Sequence, residues 1–122
     1  HGGTTLIHYI GVTSMTAPDL CVPRQFHSTR RVNAGDVMFV EISANFFHDY
    51  PGQVLRTYAI EAEPTSLYRD LHATAEAAFD AVAGCLRAGT TAAEILAATA
   101  LVEQAGFTIC DDVVHGLSSW RR

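Results

Sequence analysis

The apolar positions of this chain change spacing near Glu63, from the continuous or alternating runs of strands to the three- and four-residue steps of helices. Thr4 to Val12 is rich in β-branched and aromatic residues and predicts a strand. Residues 13–35 hold Pro18, Pro23, Asn33 and Gly35 without a sustained period and predict a loop. Gly35-Asp36 then opens a second strand, Val37 to Asn45, apolar on both faces until Glu41, as expected of a strand covered on both sides. The cluster His48-Asp49-Tyr50-Pro51-Gly52 predicts a turn into a third strand, Gln53 to Ile60. So short a link makes the two strands antiparallel neighbours.

Past Glu63-Pro64-Thr65 the period becomes helical. Leu67, Leu71, Ala75, Phe79, Val82 and Leu86 form one apolar stripe, which predicts a helix over 65–88 packed on the strands and closed at Gly89. Thr91-Ala92-Ala93-Glu94 has capping-box spacing, in which hydroxyl and carboxylate satisfy free first-turn amides. It predicts a second helix over 91–105, carrying Ile95, Leu96, Thr99 and Val102 and stopped by Gly106. Phe107 to Cys110 reads as a short last strand. Strands and helices are grouped rather than alternating, which predicts an α+β fold. No linker divides the chain, so residues 1–122 read as one domain.

Composition narrows the function classes. A length of 122 residues with 48% hydrophobic and 17% charged residues is that of a small folded domain, not a disordered chain. A net charge of −5 argues against nucleic acid as partner, since affinity for phosphate backbones comes from basic residues. No apolar run reaches the roughly 20 residues that span a bilayer, so no membrane partner is expected. Cys21, Cys85 and Cys110 are odd in number and widely spaced, neither a disulfide framework nor a zinc pattern. Reduced, buried thiols in a cytoplasmic protein are the expectation. Neither a phosphate-cradling glycine loop nor a Gly-x-Ser-x-Gly nucleophile turn is present in the sequence.

Four landmarks in order carry a family resemblance. Gly35-Asp36 precedes a strand bearing Glu41; Tyr50 is followed by Arg56-Thr57; Leu86-Arg87-Ala88-Gly89-Thr90-Thr91-Ala92-Ala93-Glu94-Ile95 is followed by Ala105-Gly106-Phe107; and His115-Gly116 comes last. Together they resemble the creatinase, Xaa-Pro aminopeptidase and methionine aminopeptidase family. The resemblance implies a partial pita-bread fold, an antiparallel curved sheet backed by two helices, truncated at both ends. In that family two metal ions, usually Mn, Co or Zn, are held by two Asp, one His and two Glu.

Residue by residue, the first Asp of that set maps to Glu41, the second to Gln53 and the ligand His to Ser119, while the two Glu belong to later strands. His115 matches the family's other histidine, beside the metals and in contact with substrate. The substrate-side histidine further upstream falls on Arg24, with His27 out of register. Dications need anionic oxygens and imidazoles, so the swaps to Gln53 and Ser119 predict no metal in this chain.

Glu41 shares the pleat direction of Val37 and Phe39, and an inward carboxylate needs a partner. It reads as a ligand or catalytic carboxylate, as a structural ion pair with Arg56 or another arginine, or as a surface residue out of register. Gln53 reads equally as a substrate contact or as a satisfied hydrogen-bonding residue, Tyr50 is a candidate substrate contact, and His115 is a candidate acid, base or substrate-binding group or a packed turn residue. Asp111 and Asp112 read as solvated, and His8, His48 and His72 as structural or exposed. The expected function is a divergent Xaa-Pro peptidase-like or creatinase-like hydrolase of a C–N bond in a peptide, amide or amidine. The chain alone is expected to be inactive, and a homodimer fits the resemblance. The alternative is a pita-bread module that binds peptides without chemistry.

Overall fold

The computed structural model of the chain describes residues 4–20, 29–46 and 50–116. These residues form two compact units. One comprises the chain up to Pro64 with residues from His115 on, and the other spans Thr65–Val114.

The first unit is an antiparallel sheet of β1 (Thr4–Ser14), β2 (Asp36–Phe46) and β3 (Tyr50–Ala59), in that order. All three expected strands are present, and the third starts earlier than its turn-forming residues suggest. Pro51 and Gly52 are ladder residues opposite Asn45 and Ala44. Proline is tolerated there because β3 is an outer strand, whose outward amides need no partner. A register shift between Thr5 and Ile7 marks a bulge in β1.

Paired residues on neighbouring antiparallel strands share a face. Tyr9 is opposite Glu41, Gly11 opposite Phe39, Thr13 opposite Val37, and Gln53 opposite Ser43. One face therefore carries Glu41 and Ser43 among Tyr9, Phe39 and Gln53, and Gly11, Thr13, Val37 and Ser43 are buried on it. The other face carries the exposed Ile10, Ile42, Val54 and Tyr58. At Gly11 a side chain would collide with the Phe39 ring, so glycine lets the aromatic lie across β1.

One well-buried cluster of the unit lies where the strands meet the Asn33–Asp36 turn. Thr13, Met15, Asp36 and Val37 are all within 3% of full burial. The buried Thr13 hydroxyl donates to Asp19 Oδ1 at 2.6 Å and accepts the Asp19 amide at 2.8 Å. Asp36 does more. Its Oδ1 accepts Arg30 Nη2 at 2.6 Å, its Oδ2 accepts the Asn33 amide at 2.9 Å, and its own amide donates to Asn33 O at 3.1 Å. Gly35 supplies the turn's left-handed backbone, φ +84°. Its carbonyl receives the Met15 amide after β1, while Ile60, after β3, accepts from Gly35 and donates to Asp36 O.

The second unit is helical. α1 (Ser66–Cys85) is capped by Thr65, whose hydroxyl accepts the Tyr68 amide. The expected second helix is divided into α2 (Ala92–Ala98) and α3 (Ala100–Gln104). The break is at Thr99, where amide and hydroxyl both turn back to Leu96 O, at 3.1 and 2.8 Å, and interrupt the regular ladder. The capping box forms as expected, Thr91 and Glu94 each receiving the other's amide. Gly106 (φ +84°) ends α3 with the paired bonds of a Schellman turn, Gly106 N to Glu103 O and Phe107 N to Val102 O.

Three expectations are corrected here. Val82 and Val102 are buried, but Leu67, Leu71, Leu86 and Phe79, the last 72% exposed, are open. In this unit α2 and α3 are too short to cover a stripe that runs the length of α1. Phe107 to Cys110 is not a strand, since no described segment pairs with it and an unpaired strand leaves its amides unsatisfied. Cys110 is exposed rather than buried, and Cys85, half-buried, donates its thiol to Val82 O. Cys21 and His48 lie outside the described residues.

Two outcomes follow for the sheet. Gly11→Ala forces the Phe39 ring aside and should cost about 1–3 kcal/mol in urea unfolding, as overpacking does; an unchanged midpoint would contradict the contact. The second concerns Asp36, whose pKa the Asn33 amide, as the largest influence, holds below the ordinary value. Arg30 acts the same way, while burial and the Asp19 charge oppose. A lowered pKa favours the ionised folded form, so its stabilisation is complete above the ordinary carboxylate pKa and is lost as pH falls through the folded value. Asp36→Asn should therefore be less stable than the parent chain at neutral pH, with the gap closing below about pH 4. A gap independent of pH would show that the charge contributes nothing.

Candidate functional site

Glu41 lies at the middle of β2, opposite Tyr9 on β1 and Leu55 on β3. Its side chain is half-buried on the face that also carries Val37 and Phe39. The partner that an inward carboxylate requires is Gln53, one diagonal step away, whose Nε2 donates to Glu41 Oε1. The alternative pairing with Arg56 does not form. Arg56 is opposite Val40 and therefore belongs to the other face, where its Nη1 donates to Leu55 O at 2.6 Å. The sheet thus joins two of the expected site residues directly.

The other two are placed differently. Tyr50 opens β3 opposite Phe46, at the far end of the β2–β3 ladder from the turn. His115 groups with the sheet unit and is exposed, its Nδ1 3.4 Å from Gly116 O. Asp111 and Asp112 are exposed, as expected of solvated residues. His8 is exposed, and His72 is exposed beside Glu76 at 3.4 Å on α1. Arg24, His27 and Ser119 lie outside the described residues.

Two residues not singled out from the sequence join the row. Ser43 and Asn45 follow Glu41 at two-residue steps on β2 and so share its face. Ser43 is 3% exposed, and its Oγ and the Asn45 Oδ1 are buried without a hydrogen-bond partner among the described residues. The sequence did hold a signal: the alternation Glu-x-Ser-x-Asn, polar at every second place after an apolar start.

The landmarks that bracket this row match a known pattern as a whole. The sequence pattern of metallopeptidase family M24 matches residues 6–120. The chain belongs to metallopeptidase family M24. The three-stranded antiparallel sheet with its helices is the α+β arrangement of part of the M24 fold, and membership makes the chain a peptidase-like hydrolase at the level of the family. No curated protein and no solved structure matches the chain. No described helix is long and apolar enough to cross a membrane.

The M24 name implies metal, and the donors around Glu41 can be weighed for it. They are one carboxylate, already engaged by Gln53, the carboxamides of Gln53 and Asn45, and the Ser43 hydroxyl. A dinuclear centre needs several anionic oxygens or imidazoles around four positive charges. Among the described residues no group of three or more His, Cys, Asp or Glu stands in position to hold an ion. The described residues do not fit the dinuclear site.

The Glu41–Gln53 bond should be measurable as a coupling. In a double-mutant cycle with Glu41→Ala and Gln53→Ala, a hydrogen bond to a charged group contributes about 1.5–3 kcal/mol, with the low end expected for a half-buried pair. Additive losses would show that the two side chains do not interact in solution.

Proposed function

We propose that this chain supplies part of the active site of a hydrolase that cleaves a C–N bond in a peptide or small amide, in the manner of an Xaa-Pro peptidase or a creatinase, in the cytoplasm. The observation that carries the reading is the Glu41–Gln53 pair. Glu41 is held by a neutral carboxamide rather than by a cation, and its charge has no basic side chain at the diagonal or opposite positions of β3. Oε1 is oriented by Gln53, and Oε2 remains available to take a proton from an attacking water. The Gln53 carboxamide oxygen remains an acceptor for a substrate N–H.

His115 completes the set as the group that protonates the departing nitrogen. Its exposure and its place with the sheet unit support that role, because a proton donor has to reach both solvent and substrate. Tyr50 is a candidate substrate contact at the end of the same ladder. A charge of −5 and the absence of Lys leave nucleic acid an unsuitable ligand.

The test is an assay of the intact protein with Xaa-Pro dipeptides, peptides with a free N-terminus, and small amides and amidines. Turnover of one class is expected. Loss of a positioned acid or base costs about 100- to 10,000-fold, so Glu41→Ala and His115→Ala should each reduce kcat on that scale. Full activity in Glu41→Ala would overturn the reading.

A further inference from the structure

We draw no further inference here: the strongest candidate, the exposed apolar stripe of Leu67, Leu71, Phe79 and Leu86 along α1, is an unpartnered face among the described residues, and nothing in the structure shows what covers it.

Discussion

The sheet depends on one carboxylate. Asp36 stands where β2 begins, and its two oxygens are divided between the Arg30 guanidinium and the Asn33 amide. That division closes the Asn33–Asp36 turn, with Gly35 in the one backbone conformation that L side chains resist. Through main-chain bonds the same turn holds Met15, just after β1, and Ile60, just after β3. Three strand ends are thus fastened at one point, and four deeply buried residues, Thr13, Met15, Asp36 and Val37, gather around it. A charge so placed is stable only while it is fully engaged, since breaking a buried pair leaves an uncompensated ion.

Register makes this local clamp matter at a distance. A slip of one residue would turn every side chain of β2 to the other face. Glu41, Ser43 and Asn45 follow Asp36 by odd steps, so they share Val37's face, and fixing the end of the strand fixes their direction. Phe39 lying over Gly11 fastens the same register further along, because only the glycine leaves room for the ring. The polar row is therefore held by apolar and ionic contacts that take no part in its chemistry. Its two buried oxygens, Ser43 Oγ and Asn45 Oδ1, find no hydrogen-bond partner among the described residues, which costs the sheet stability.

Much of this was legible in the residues, for identifiable reasons. The strands announced themselves by β-branched and aromatic runs, α1 by its apolar stripe, and α2 by the Thr91–Glu94 spacing, because each is a local signal. The pairing of Glu41 was legible only in part. Pleat direction turned it inward, but choosing Gln53 over Arg56 required the register, which a single strand does not carry. Pro51-Gly52 read as a turn because those residues favour turns, and an outer strand accepts them all the same. The α2–α3 break depends on the Thr99 hydroxyl folding back, a side-chain choice invisible to periodicity. The Leu67 to Leu86 stripe read as core because periodicity reports which positions share a side, not what covers them. Phe107 to Cys110 has strand composition without a strand's partner.

The central claim is that the Asp36 clamp holds the polar row of β2 in place, and hydrogen exchange tests it most directly. At neutral pH the amides of Met15, Gly35 and Ile60 should be protected together with those of β2 through Ser43. In Asp36→Asn that protection should fall across the whole set, from the turn to Glu41 and Ser43. Protection lost at Asn33 alone, with Met15, Ile60 and β2 unchanged, would contradict the account and make the turn a local feature with no hold on the site.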